Sequence, residues 1–203
     1  QQAGPIGFAI NLFAGLIVFN LFSECTGKAP TLIVAQPNYV TKVVFPLELL
    51  GAVAVAAAGF HAATSLVVLG LFEALGAGGV PLTALWLPVV WLPLLLGCLG
   101  LSWLLSALGV YLRDLPQLVN VGLTVLMFLS AVFYPISALP ERWQPLLSLN
   151  PLVVIIEQTR RVLVSGHTPS LTFVLLGIPA TLLFSELSYR LFQRARRGFA
   201  DVL

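Results

Sequence analysis

The stretch ALGAGGVPLTALWLPVVWLPLLLGCLGLSWLLSALGVYL, residues 74–112, runs through 39 positions without an Asp, Glu, Lys or Arg. A bilayer core of roughly 30 Å is crossed by about 20 apolar residues in a helix, so this run holds one crossing and falls short of two plus a turn. It reads as a loop, Gly76 to Pro81, followed by one long helix that Pro88 and Pro93 can bend. Other charge-free runs lie at 1–23, 49–72, 115–140, 143–156 and 162–185. All are long enough to cross except the 14 residues from Trp143 to Ile156, a length that suits a re-entrant or interfacial segment. The predicted spans are 5–27, 47–71, 82–110, 117–135 and 169–190, five in this chain. Backbone polar groups in lipid must be paired internally, and the runs are continuous rather than alternating. The fold class is therefore an all-α integral membrane protein and not a β-barrel.

Composition agrees. Of 203 residues 59% are hydrophobic and 9% charged, against about 25% charged in soluble domains, and the mean hydropathy is +1.00. A net charge of +2 without basic and aromatic residues interleaved gives no footprint for nucleic acid. Cys25 and Cys98 form no CxxC, which argues against a disulfide framework or a zinc site. No internal repeat interrupts residues 1–203, which read as one membrane domain.

Lys and Arg set the orientation. Arg190, Arg194, Arg196 and Arg197 crowd the C-terminal tail, and Lys28, Lys42 and Arg113 fall on the same side if the spans alternate. Arg142, Arg160 and Arg161 fall on the other, so the positive-inside rule places the C-terminus in the cytoplasm and Gln1 outside. Met127 is the only methionine, so either a removed signal peptide or an upstream segment with an odd number of crossings is expected before Gln1.

The polar residues between spans have distinct local chemistry. In the first cytoplasmic loop Pro37 opens a short helix, and Pro46 biases Phe45 towards extended backbone. Two turns are too short to be stable alone. They rest on the bilayer surface or insert into a cytoplasmic partner. Arg113 and Asp114 read as a helix end and the next helix cap. Between Tyr134 and Gly166, Asn150-Pro151 separates two helices too short to span, which suggests a re-entrant hairpin gating a polar cavity or an amphipathic hairpin on headgroups. On the second helix Glu157 reaches Arg160 or Arg161 at i+3 and i+4. Glu24 and Lys28 pair the same way, and His61 lies near the middle of the second span, where a neutral histidine bonding a neighbouring helix is commoner than a proton relay.

Catalytic signatures are missing. There is no HExxH, no GxSxG and no Asp, Glu or His cluster at metal spacing. Lys28 follows Gly27, but Phe22 and Ala29 stand where a P-loop needs Gly and Ser or Thr. The chain is therefore not a P-loop ATPase and no cofactor is expected in it; if it moves a solute uphill, the energy comes from elsewhere.

The series Phe13-Ala14-Gly15-Leu16, Phe22-Ser23, Asn38-Tyr39-Val40-Thr41-Lys42-Val43-Val44-Phe45-Pro46, Arg113-Asp114, Phe133-Tyr134-Pro135, Leu139-Pro140, Asn150-Pro151-Leu152, Arg160 or Arg161, and Arg197-Gly198-Phe199-Ala200-Asp201 runs in order along almost the whole chain. It resembles the permeases of ABC-2-type polysaccharide exporters, which carry O-antigen, capsule and teichoic acid. The resemblance implies six membrane helices per subunit behind an amphipathic cytoplasmic helix, with residue 1 just before the second of the six. It implies that Pro37, Asn38, Tyr39, Val40, Thr41 and Lys42 form the segment that couples the channel to an ATPase subunit. Asn150, Pro151, Glu157, Arg160 and Arg161 would then form an external gate of two short periplasmic helices. It further implies a bacterial inner-membrane location, a second copy of the chain, two ATPase subunits holding ATP and Mg, and a lipid-linked polysaccharide substrate. Aromatic faces suit sugar C–H groups, and Phe19, Phe22, Phe128, Phe133 and Tyr134 are candidate lining residues or interfacial anchors. The competing readings are an ABC-2 drug or lipid exporter, a glycan-processing membrane enzyme, and a scaffold without transport.

Overall fold

The structure, a computed structural model, describes residues 5–41, 45–76, 79–134, 136, 140 and 142–202. Helices account for all regular secondary structure among these residues. α1 (Pro5–Lys28) is apolar and ends with Lys28 in its last turn, and a 3-10 turn, Ala29–Thr31, takes over where Pro30 lacks an N–H. α2 (Pro37–Thr41) is short. α3 (Glu48–Gly76) opens with a carboxylate in its first turn, where the helix dipole favours it. A second 3-10 turn, Leu82–Trp86, leads into α4 (Leu87–Tyr111), with Pro88 in the first turn and Pro93 inside the helix. One long helix follows Pro81 as expected, whereas α3 extends through Gly76, where the loop was expected to begin, and Ala77 and Gly78 lie outside the described residues.

α5 (Leu115–Leu129), α6 (Gln144–Ser148), α7 (Pro151–Leu163) and α8 (Leu171–Ala195) follow, then a 3-10 turn, Arg196–Gly198, and α9 (Phe199–Val202). Asp114 stands at the N-cap of α5 with φ −87° and ψ −4°, and its side chain makes no capping bond. A capping side chain works from extended backbone, so the expected cap is present in position and not in chemistry.

Among the described residues four helices are long and apolar enough to cross a membrane: Gly7–Thr31, Glu48–Leu75, Leu82–Tyr111 and Leu171–Gly198. α4 packs along α8, and α1 packs on α3, α4 and α7. A Cβ on Gly100 would stand 2.9 Å from the Phe184 ring, so glycine sets the α4–α8 spacing. Ile10, Val18, Leu21, Val90, Leu94 and Ile156 fill the core. A smaller cluster of Ile33, Leu47, Val110, Phe192 and Phe199 ties together the end that carries the C-terminus, called here the tail end. α8 buries only Ser185, Ser188 and Phe192 and turns Leu175, Leu176 and Leu183 outward, as lipid contact requires.

The fifth expected span, 117–135, differs. α5 is helical for 15 residues, about 22 Å, and stops at Leu129, short of the roughly 30 Å hydrocarbon core. Ala131 follows with φ 51°, the left-handed region that a Cβ disfavours by about 1–2 kcal/mol. What holds this break open lies on α7.

Candidate functional site

Asn150 starts α7 from extended backbone, φ −78° and ψ 115°, and its Oδ1 accepts from Leu152 N at 3.0 Å, with Pro151 in the first turn. Its Nδ2 donates to Ser130 Oγ at 3.1 Å, so the beginning of α7 is fastened to the end of α5. From there α7 runs antiparallel to α4. Trp91 Nε1 donates to Thr159 Oγ1 at 3.3 Å, and Thr83 Oγ1 donates to the Val162 carbonyl at 2.7 Å. Asn150 and Pro151 line an apolar cavity of about 520 Å³ with Leu94, Cys98 and Leu101, midway along α4. At about 20 Å, α7 reaches from mid-depth to the end opposite the tail and does not cross. The Asn150-Pro151 junction thus sits beside the middle of α4. Replacing Asn150 with Ala removes both its cap and its tie to Ser130. Loss of such a cap costs typically about 1 kcal/mol. A fall in the melting temperature of the detergent-solubilised protein, recovered in Asn150→Asp, is the expected result.

Arg160 is the centre of the arrangement. Its side chain is 4% exposed and donates to five acceptors. Nε reaches the Asn11 carbonyl of α1 at 3.1 Å, and Nη2 reaches the Val132 carbonyl at 2.7 Å. Nη1 serves the Ala131 and Tyr134 carbonyls at 3.1 and 3.2 Å and Glu157 Oε1 at 3.0 Å. Irregular backbone at membrane depth survives only where protein or water satisfies it, and this guanidinium satisfies the break after α5. Glu157 Oε1 also accepts from Ile136 N at 3.3 Å. The i+3 partner is the one that forms, while Arg161 turns away and donates through Nε to the Thr168 carbonyl at 2.9 Å.

At the tail end, α2 forms within the expected segment. Pro37, Asn38, Tyr39, Val40 and Thr41 are its residues, and Lys42 lies outside the described residues. Tyr39 stacks on Phe45 with centroids 4.8 Å apart. Arg196 pairs with Glu48 at 3.0 Å and donates to the Phe45 carbonyl at 3.3 Å, which links the α2–α3 connection to the C-terminal tail. Sequence separation hid this pair.

Of the five aromatic candidates, Phe19 is 4% exposed and enclosed by the subunit's own helices. That burial removes it from any wall formed by the subunit's surface. Phe22 is half-buried and lines the 520 Å³ cavity. Phe128 and Phe133 are exposed with centroids 6.0 Å apart, and the Tyr134 hydroxyl donates to the Phe128 carbonyl at 3.2 Å. Glu24 pairs with Lys28 at 2.7 Å and also lies 3.0 Å from His61 Nδ1, so the histidine contacts a neighbouring helix. Cys25 and Cys98 are both buried free thiols. Among the described residues no group of three or more His, Cys, Asp or Glu could hold a metal ion.

The sequence of residues 2–164 matches a family described as ABC-2 type transporter. An O-antigen export system permease protein, RfbA, of Klebsiella pneumoniae is 22% identical over 204 residues, covering 97% of this chain and 76% of the relative. RfbA of Myxococcus xanthus is 28% identical over 199 residues, covering 96% and 75%. The polysialic acid transport protein KpsM of Escherichia coli is 24% identical over 191 residues, covering 91% and 73%.

Proposed function

The chain belongs to the ABC-2 type transporter family, and from that premise we propose that it is the membrane subunit of an exporter for a lipid-linked polysaccharide, driven by ATP hydrolysis on a separate subunit. The observation that carries this reading is the short helix α7, held by Arg160 beside the early end of α5, in a chain whose relatives are named for O-antigen and polysialic acid export. A long hydrated polymer needs an exit that closes between steps without a permanent pore. Two short helices anchored at mid-depth supply such a gate, and Asn150, Pro151, Glu157 and Arg160 are its fixed points.

α2 is the coupling element. Its exposed Tyr39 is backed by Phe45, and Phe45 is bonded to Arg196, so a push on α2 reaches both α3 and the tail. The tail end is cytoplasmic in the bacterial inner membrane. The ATPase subunits, carrying ATP and Mg, dock on α2 of this chain and of a second copy.

Replacing Tyr39 and Lys42 together with Ala is expected to abolish surface polysaccharide while leaving the amount of protein in the membrane unchanged. Full export by the double variant, or purification in mild detergent without any ATPase subunit, would remove this assignment. Single cysteines replacing Thr168 and Arg197 are expected to react with an impermeant maleimide from opposite sides of intact cells and inverted vesicles. Reaction of both from one side would overturn the orientation.

A further inference from the structure

Beside the Arg160 anchor, at the end opposite the tail, lies a second cavity of about 500 Å³, lined by Asn11, Glu157, Gln158, Arg161 and His167 among others. Resting on the export reading, we propose that this cavity binds one or two sugar rings of the translocated polysaccharide as they leave the membrane.

The argument starts from what each side chain has left to offer. Glu157 gives Oε1 to Arg160 and to Ile136 N, and Oε2 makes no hydrogen bond among the described residues. Gln158 uses its Oε1 to accept from Ser170 N, which leaves its amide nitrogen to donate. Arg161 is fixed through Nε to the Thr168 carbonyl, which leaves both terminal nitrogens as donors. The His167 ring makes no hydrogen bond among the described residues, while its backbone nitrogen is held at 3.1 Å by the Arg161 carbonyl. Glu157, Gln158 and Arg161 are each held by a bond through one atom and keep another unused, whereas the exposed His167 ring is free to turn towards an occupant. Three of the four polar groups are thus pre-organised.

Their mixture selects the ligand class. A sugar hydroxyl both donates and accepts. Neighbouring hydroxyls on a ring therefore meet a carboxylate oxygen, an amide N–H, a guanidinium edge and an imidazole with a partner for each polarity. A bare phosphate or carboxylate offers acceptors alone: it would pair with Arg161 and the Gln158 amide and leave the Glu157 oxygen without a donor. An acyl chain would offer none of the four groups a hydrogen-bond partner. The cavity volume is within the usual range for small-molecule sites. Its carboxylate is also the ion-pair partner of Arg160, so an occupant would bear directly on the group that holds the break after α5.

The test uses the whole natural subunit in lipid nanodiscs, with methyl α-mannoside, methyl β-galactoside and methyl β-N-acetylglucosaminide as probes and saturation-transfer NMR as the readout. At least one probe is expected to saturate at roughly millimolar concentration. Arg161→Ala and His167→Ala should each weaken that binding about tenfold, the loss of one hydrogen bond to a charged or strongly polar group. His167→Ala removes no hydrogen bond seen among the described residues, so its effect cannot be ascribed to misfolding. Absence of saturable binding by all three probes, unchanged binding in His167→Ala, or displacement of the sugar by inorganic phosphate would each overturn the proposal. Phosphate displacement would mark the cavity as a lipid-headgroup or free-anion site. None of these results bears on the Tyr39 and Lys42 experiment, so the site can fail while the export reading stands.

Discussion

Arg160→Leu is expected to eliminate export and to destabilise the subunit by about 3–5 kcal/mol, the cost of removing one partner from a buried charged network. The leucine fills part of the volume and leaves four carbonyls, on Asn11, Ala131, Val132 and Tyr134, without their donor, together with the Glu157 carboxylate. Ala131 and Val132 are buried, so their carbonyls have no substitute partner. Arg160→Lys separates charge from geometry. An ammonium keeps the pair with Glu157 but cannot span acceptors lying on both sides of a planar fork, so it should recover part of the stability and little of the export. The checks are a thermal melt by fluorescence-detected size exclusion and a surface-polysaccharide immunoblot. Wild-type values in Arg160→Lys would show that the charge alone holds the break, and the account of the gate would fall with it.

The gross architecture was legible because its causes are local or compositional. Charge-free runs mark the four long spans, and an Asn-Pro pair before an apolar turn marks the start of α7. The choice between the two arginines was also encoded. Arg160 shares its helical face with Val153, Ile156 and Leu163, all buried, whereas Arg161 shares its face with Gln158 and Val164, both only partly so. Weighing that face pattern beside the i+3 and i+4 spacing would have selected Arg160. The early end of α5 was not legible. Nothing in Ser130 to Phe133 forbids a helix, and the break is made by a donor about 30 positions downstream. The His61–Glu24 and Arg196–Glu48 contacts join residues 37 and 148 positions apart and have no local signature. Tertiary packing decided them, which is where a single sequence is least informative.

Gly109→Ala is expected to have an effect of similar size through an unrelated cause. Gly109 lies on α4 where the chain leaving α1 crosses it, and a Cβ added there would overlap the carbonyl of Pro30. Both contacting groups are main chain, one in α4 and one in a 3-10 turn whose Ala29 and Pro30 are buried, so no rotamer change relieves the clash. Overpacking a filled interior costs about 1–3 kcal/mol, and a clash between two fixed backbones belongs at the upper end. The damage would spread to function because the displaced turn precedes α2 by only five residues, and its neighbour Ile33 packs in the cluster with Leu47, Val110, Phe192 and Phe199. Moving the turn therefore moves the proposed coupling helix. Gly122→Ala is the control, since a Cβ there meets nothing within 4 Å. In that variant melting temperature and export should match wild type, whereas Gly109→Ala should lose several degrees and most of its export. Equal behaviour of the two would mean that the α1–α2 connection slides freely over α4, and that α2 is not braced by the bundle it is proposed to drive.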